Sequence, residues 1–290
     1  MSDNLPPPRT DGIALPGYRV LALEGRDATA FAQAQCMNEV AALPAGHWQW
    51  NGWLTPRGRL VALFALLKLE PERLWLLLPD ADPTELAAQL QRFVFRSKVT
   101  LAPRTDLVPV AAFSAPVSAN GATFAGDAAQ GIELDFGGGG GPRSLVVGTA
   151  TGTAGDAAAV ARWTLCDLVH GLPRLGPGQS GQWTPQMLSL QRLRAFSVRK
   201  GCYPGQEIVA RTHFLGQSKR GLVLLESDAA LAAGSDVGDG ERVLGSVVSA
   251  VSAGDRHLAL AVLPLEREAG ALQADGVPLR ETPLLDGLAR

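Results

Sequence analysis

The chain has 290 residues, of which 46% are hydrophobic and 19% charged, and its formal net charge is −2 at pH 7. This share of apolar residues excludes a disordered protein, and the length favours two or three domains. The net charge excludes an overall basic field for nucleic acid. Any bound RNA would therefore have to be recognised by a small region, and we expect no direct nucleic-acid partner.

The cysteines, the N-terminus and the apolar runs predict where in the cell the protein is located. Cys36, Cys166 and Cys202 are far apart, so the spacing predicts neither a disulfide framework nor a metal site. Residues 1–12 are polar and proline-rich, without the apolar core of a secretory signal. The longest apolar run, 60–70, is interrupted by Lys68 and is too short to cross a bilayer. We expect a cytoplasmic protein with reduced thiols and no membrane partner.

The first hundred residues mix strand and helix patterns. A β-favouring run at 18–24 precedes Asp27, which is expected to cap a helix over 28–43. Three strand-like runs follow, at 47–54, 59–70 and 72–79. A second helix is predicted to start at Asp82, and 96–103 is predicted as a further strand. The irregular order of elements favours an α+β fold over a parallel α/β sheet.

The composition of the chain changes after residue 105 and again after residue 219. Residues 106–155 are low in charge, and their five glycines at 137–141 predict a flexible hairpin tip or linker, because no lysine is placed for a phosphate loop. Asp156 is expected to begin a helix that Gly171 ends. After residue 219, short apolar runs separated by Gly and Asp predict a small β-barrel.

These patterns predict three domains. Residues 1–105 are expected to form an N-terminal α+β domain. Residues 106–218 are expected to form a second α+β domain, which can interleave with the first. Residues 219–290 are expected to form the β-barrel.

The stretch RKGCYPGQEIVART, residues 199–212, is unusual for a scaffold. Gly201 and Gly205 permit backbone shapes that other residues resist, and the cations at Arg199 and Lys200 can stabilise a thiolate at Cys202. Gln206 and Glu207 can orient a polar heterocycle. The residues alone leave two interpretations open: a binding or reactive site, and a structural turn with a solvated basic rim.

The other two cysteines have a different context. Cys36 and Cys166 fall on predicted helices with apolar neighbours. In such a setting a thiol behaves as a small hydrophobic group, so both are expected to pack in the core.

The sequence KGCYPGQEIVAR resembles the signature of the YgfZ family, folate-binding proteins related to the T-protein (aminomethyltransferase) of the glycine cleavage system. The supporting matches are LEGRDATAFAQAQCMNEV, TPRGRLVALFAL, RSKV, WTPQMLSLQRL and HFLGQSKRGL. The resemblance implies a T-protein-like ring of α/β domains around a folate pocket, with a C-terminal β-barrel. It also implies a tetrahydrofolate-dependent role in assembling or repairing iron–sulfur enzymes, including one that modifies tRNA.

The resemblance also implies site residues and a cofactor, tetrahydrofolate or a one-carbon derivative. Tyr18 and Trp163 match pocket aromatics of the family, with core packing as the alternative for each. The expected functional thiol is Cys202, with Lys200 beside it. The cations expected at the folate glutamate tail are Arg96, Lys98 and Arg199. The other expected cofactor-binding residues are Gly201, Tyr203, Gly205, Gln206 and Glu207.

Departures from the enzyme relatives bear on activity. Aminomethyltransferases carry an acidic pair near TPRGRLVA, whereas residues 55–62 contain no Asp or Glu. Their pterin-contacting glutamate corresponds to Val169, with Asp167 as a partial substitute. We therefore expect an accessory factor with iron–sulfur partners, and no ordinary glycine-cleavage activity. A folate-dependent aminomethyl- or methyltransferase, a related demethylase and an interaction scaffold with a vestigial pocket remain the alternatives.

Overall fold

Three antiparallel sheets form the framework of the protein. The computed structural model describes residues 12–149, 155–176, 178–214, 216, 218–268 and 270–290. The N-terminal segment 1–11, predicted to lack a secretory signal, lies outside the described residues. No helix in the described ranges is long and apolar enough to cross a membrane.

The first two sheets are built from ten strands. These are β1 (Ile13–Ala14), β2 (Arg19–Glu24), β3 (His47–Leu54), β4 (Leu60–Glu70), β5 (Arg73–Leu78), β6 (Thr100–Pro103), β7 (Val108–Ala112), β8 (Ala125–Asp127), β9 (Gly131–Asp135) and β10 (Ser144–Gly148). The first sheet has the order β3-β4-β5-β2-β6, and the second has the order β1-β7-β10-β9-β8. The second sheet was missed in the sequence, because its strands are short and lie among Gly- and Ser-rich residues that are typical of loops.

The third sheet is a closed barrel, as predicted for the chain after residue 219. Its strands are β11 (Arg220–Ser227), β12 (Asp236–Gly238), β13 (Val243–Ala253), β14 (Arg256–Pro264), β15 (Leu272–Ala274) and β16 (Val277–Thr282). They close in the order β11-β14-β13-β12-β15-β16. Closure pairs every strand on both sides and leaves the barrel no open edge.

Four α-helices and one 3₁₀ helix complete the described structure. They are α1 (Ala28–Gln35), α2 (Pro83–Gln91), α3 (Ala157–Val169), the 3₁₀ helix Leu190–Leu193 and α4 (Gln206–Phe214). The Asp82 side chain accepts hydrogen bonds from the backbone N–H groups of Thr84 and Glu85, as predicted for the start of α2. Asp156 caps α3 in the same way through Ala158.

The start and end of α1 differ from the sequence pattern. Asp27 stands at the N-cap position, but its side chain makes no capping hydrogen bond. Its Oδ2 accepts instead from the Lys98 N–H, on a distant turn. The helix expected over 28–43 ends at Gln35, because Cys36 is extended and forms an isolated bridge with Trp53.

One predicted strand is also shorter in the structure. The strand expected over 96–103 begins only at Thr100. The residues before Thr100 form a turn, closed by a hydrogen bond from the Ser97 N–H to the Val94 carbonyl.

The first sheet separates two apolar cores, because successive side chains of a strand point to opposite faces. On one face, Leu21 and Leu23 pack with residues of α1 and α2. On the other, Val20 and Ala22 belong to a larger core shared with the second sheet and α3. The residues after the barrel return to that larger core, where the Leu288 carbonyl accepts a hydrogen bond from the Trp50 indole. Residues on opposite faces of the sheet therefore belong to different sites.

Candidate functional site

The turn around Cys202 is anchored by a buried lysine. The Lys200 ammonium donates to the carbonyls of Gln33 at 2.5 Å, Cys36 at 2.6 Å and Asn38 at 3.0 Å. Unpaired carbonyls at the C-terminal end of a helix attract a cation, and α1 ends here. Lys200 was expected beside the thiol, but its ammonium binds the end of α1. Burial lowers its pKa.

We call residues 199–205, the turn that carries Cys202, the signature turn. Two glycines let the signature turn pack closely on the turn between β3 and β4. Gly205 has φ +81°, and a Cβ there would lie 2.7 Å from the Gly58 Cα and the Thr55 carbonyl oxygen. A Cβ at Gly58, which has φ +69°, would lie 2.8 Å from the Ile208 Cβ of α4. Both positions favour glycine, because any side chain would be strained and would collide with its neighbours. The TPRG and GCYPGQE segments, distant in sequence, therefore form one structural unit.

Tyr203 and Gln206 hold the two sides of the cysteine. The Tyr203 ring is buried under the Lys200 ammonium, 5.0 Å from its centroid, and its hydroxyl donates to the Ser197 carbonyl. Burial raises the pKa of Tyr203 to about 12. The Gln206 amide donates to the Lys200 carbonyl at 2.9 Å. These contacts order the backbone on both sides of Cys202.

The three cysteines differ sharply in exposure. Cys202 is exposed, whereas Cys36 is only 3% exposed, and burial raises the pKa of its thiol to about 12. Cys166 is half-buried on α3, so it is more exposed than the core packing predicted for it. Of the three thiols, Cys202 is the one that solvent reaches freely.

A second group of polar residues lies in the larger core and is centred on Asp167. The Tyr18 hydroxyl donates to Asp167 Oδ2 at 3.0 Å, and the Trp163 indole donates to the Tyr18 hydroxyl at 3.4 Å. Arg143 donates to Asp167 Oδ1 at 2.8 Å, and Arg174 lies 3.5 Å from Oδ2. Burial, together with the nearby Asp167 carboxylate, raises the pKa of Tyr18. We call these five residues the Asp167 cluster.

Arg143 carries unused hydrogen-bond donors within the Asp167 cluster. Its guanidinium lies 4.5 Å from the Trp163 ring centroid, and the residue is 2% exposed. Among the residues that the structure describes, its Nε and Nη2 atoms have no hydrogen-bond acceptor. A buried donor without a partner costs about 1–3 kcal/mol. An acceptor supplied by a ligand would recover that free energy.

The residues predicted to surround one folate are not all brought together. Tyr18 and Trp163 lie in the larger core, whereas Val94 and Val99, which flank Arg96 and Lys98, lie in the core on the α1 and α2 face. Arg96 and Lys98 are exposed on that opposite side of the first sheet. This geometry does not agree with a pocket that combines these two cations with Tyr18.

The remaining predicted residues lie at the surface of the signature turn. Arg199, Gly201 and Glu207 are exposed. A Cβ at Gly201 would meet no atom within 4 Å, so the turn is open at this point. No group of three or more His, Cys, Asp or Glu side chains in the described ranges is arranged to hold a metal ion.

Sequence reasoning missed Arg143 and Arg174. Arg143 follows the five glycines of 137–141, which connect β9 to β10 in the predicted hairpin. Gly138 and Gly140 pack against His170, so the connection lies against the end of α3. A lone arginine after a glycine run carries no signal of burial. Its carboxylate partner lies 24 residues away in sequence.

Comparison with known proteins identifies the family. A "tRNA-modifying protein YgfZ" of Klebsiella pneumoniae is 30% identical to this chain over 87% of the chain and 84% of that protein. The chain belongs to the YgfZ family. The protein of the same name from Colwellia psychrerythraea is 26% identical over 95% of the chain and 93% of that protein. No family model matches the chain.

A solved structure supports the fold expected for a YgfZ protein. Aminomethyltransferase T of the glycine cleavage system from Bartonella henselae superposes with a TM-score of 0.69, covering 94% of this chain and 84% of that one. Its sequence identity is 15%, so the likeness establishes the fold alone. The predicted T-protein-like fold with a C-terminal barrel is confirmed.

Proposed function

We propose that this YgfZ protein is a tetrahydrofolate-binding accessory factor for the assembly or repair of iron–sulfur enzymes, including one that modifies tRNA. The names of its relatives support a link to tRNA modification. The aminomethyltransferase fold is consistent with folate binding. The observation that carries the cofactor proposal is the buried Arg143, whose two unused donors lie beside aromatic side chains.

The Asp167 cluster fits the chemistry of a pterin ring. A pterin offers carbonyl and ring-nitrogen acceptors, which match the free Nε and Nη2 donors of Arg143. It also offers N–H donors, and the Asp167 carboxylate can accept them, since two oxygens provide about four acceptor positions. Trp163 and Tyr18 would flank the flat ring, after adjustment of side chains that are now packed together. Tetrahydrofolate, when bound, supplies a carrier for one-carbon groups.

The proposed role of Cys202 is that of a functional thiol for a partner. The thiol is exposed on a turn whose neighbours, Lys200 and Tyr203, are both buried and bonded. An anchored backbone with an exposed side chain is a suitable arrangement for presenting a reactive group, because little ordering is needed when a partner approaches. Lys200 acts by positioning the turn.

Tetrahydrofolate titration tests the cofactor proposal directly. We expect micromolar-scale binding by the full chain, followed by calorimetry and by tryptophan fluorescence. Arg143→Lys keeps one cation for Asp167 but removes the extra donors, so its affinity should fall tenfold or more, equivalent to about 1.4 kcal/mol. The matched control is Arg242→Lys on the barrel surface, which should bind like the parent.

Two results would count against folate binding. One is the absence of heat or fluorescence change at millimolar tetrahydrofolate. The other is an Arg143→Lys protein that keeps its melting temperature and its full affinity. If Arg143→Lys melts early, Trp163→Phe serves as the second variant, because it keeps an aromatic ring in the core and Arg143 unchanged, while it removes the indole N–H that donates to Tyr18 and reduces the ring surface offered to the pterin.

A further inference from the structure

The turn between α2 and β6 presents a phenylalanine that folding does not explain. Phe95 is 88% exposed, so its ring adds nothing to the core. Its φ is +40°, in the left-handed region that costs a non-glycine residue roughly 1–2 kcal/mol. Glycine or asparagine would suit this position better. Backbone strain combined with an exposed ring is typical of a site selected for binding.

The turn is nevertheless held firmly on both sides. Val94 and Val99 are buried in the core under α1 and α2. The Lys98 N–H donates to Asp27 Oδ2 at 2.7 Å, and the Asp27 N–H donates to the Lys98 carbonyl. These contacts fix the backbone near the start of α1, so the exposed side chains between them project from an ordered support.

Every exposed side chain of residues 91–98 is an aromatic ring, a cation or Gln91. The rings are Phe93 and Phe95, and the cations are Arg92, Arg96 and Lys98. We call these five residues the 92–98 face. It contains no carboxylate, and none of its three cations has an ion-pair partner in the described part of the chain. A protein of net charge −2 thus carries a local positive surface with rings between the charges.

The 92–98 face borders the signature turn through Trp53. The Phe93 ring lies 6.1 Å from the Trp53 ring in an edge-to-face arrangement. Trp53 is 7% exposed, and its indole N–H has no acceptor among the described residues. Trp53 is bridged to Cys36, whose carbonyl binds Lys200. An unused donor therefore lies between the aromatic face and the turn that carries Cys202.

We propose that the 92–98 face binds a single-stranded segment of RNA. Unpaired bases stack on exposed aromatic rings, while arginine and lysine bind the phosphates, and the face combines these two types of side chain. The core of a protein interface is depleted of charged residues, whereas three cations lie on both sides of these two rings in the sequence, which favours a nucleic acid over a protein partner. The proposal goes beyond the accessory role, does not depend on folate, and revises the expectation of no direct nucleic-acid partner.

Fluorescence anisotropy with a labelled single-stranded 12-nucleotide RNA of mixed sequence tests the proposal. Phe95→Asn removes the ring and suits the left-handed backbone, so the variant should melt at the parent temperature or above. Its RNA affinity should fall about tenfold or more, because stacking contributes about 1–3 kcal/mol per base. Phe95→Trp should keep the affinity. Stability and binding are thus expected to change in opposite directions.

The salt dependence of RNA binding separates the contribution of the cations from that of the aromatic rings. Arg96→Gln and Lys98→Gln should each reduce the slope of log affinity against log salt by about 0.7, the value for one phosphate contact on a single strand. Arg242→Gln, which changes an exposed arginine on the barrel, should leave both affinity and slope unchanged.

Three outcomes would overturn the proposal: no RNA binding by the parent chain, parental affinity in Phe95→Asn, or equally tight and Phe95-dependent binding of a labelled polyglutamate peptide. The last result would assign the face to an acidic protein segment. Tetrahydrofolate titration of Phe95→Asn distinguishes this test from that of the accessory role, because its folate affinity should equal that of the parent.

Discussion

The Asp167 cluster and the signature turn are stabilised by different means. In the Asp167 cluster, buried side chains bind one another, and Asp167 is completely enclosed. In the signature turn, the buried Lys200 side chain binds backbone carbonyls at the end of α1, and Cys202 is exposed. The first arrangement makes a closed polar core inside the protein. The second makes a rigid support suited to a partner that approaches from solvent.

The largest effect is expected from breaking the Asp167 cluster. Asp167→Ala leaves Arg143 without its carboxylate in a buried environment, and the loss of one member of a buried ion pair costs about 3–5 kcal/mol. Urea unfolding measures this loss. Arg242→Ala, which breaks an exposed ion pair with Asp239 and leaves the backbone hydrogen bonds of Asp239 in place, is the control and should cost less than about 1 kcal/mol. Similar losses of unfolding free energy in the two variants would contradict the claim that burial makes the Asp167 ion pair costly to break.

A pair of glycines tests the packing of the signature turn. Gly205→Ala should destabilise the protein by more than about 2 kcal/mol, since it adds left-handed strain to a collision with the backbone of Gly58 and Thr55. Gly201→Ala, which places its Cβ in open space, should cost less than about 1 kcal/mol. Thermal melting of the two variants makes the comparison. Equal melting temperatures would show that the close approach of the two turns contributes nothing to stability.

A pH-dependent effect is expected from His170, at the edge of the Asp167 cluster. Its Nδ1 lies 2.6 Å from the Cys166 carbonyl, so Nδ1 carries a proton, and Nε2 accepts from the Gly140 N–H. The ring is therefore neutral, and burial lowers its pKa below the ordinary value of about 6.5. The unfolded chain binds the proton more readily, so stability is complete above about pH 6.5 and falls as the pH drops below it.

The measurement is the free energy of unfolding between pH 7 and pH 5. One proton contributes a slope of at most about 1.4 kcal/mol per pH unit. His170→Gln should flatten the curve, because it removes the group whose pKa burial lowers. A parental slope in His170→Gln would contradict the neutral, buried state of this ring.

Contacts between neighbours in the chain were predicted from the sequence, whereas contacts between distant residues were not. Capping by Asp82 and Asp156 depends on neighbours in the chain, and both helix starts were predicted correctly. The exposure of Cys202 agrees with its glycine-flanked context. The partner of Lys200 was not predictable, because the ammonium binds carbonyls more than 160 residues away. The pairing of Arg143 with Asp167 likewise arises only when the second sheet packs on α3.

The central claim is that Cys202 acts on a partner while the Asp167 cluster binds folate. It is tested by Cys202→Ala in a deletion strain, measured as the activity of a tRNA-modifying iron–sulfur enzyme, together with tetrahydrofolate titration of the purified variant. We expect loss of enzyme activity with parental folate affinity and a stability change below about 1 kcal/mol, while Cys36→Ala retains the activity. Full enzyme activity in Cys202→Ala would contradict the account.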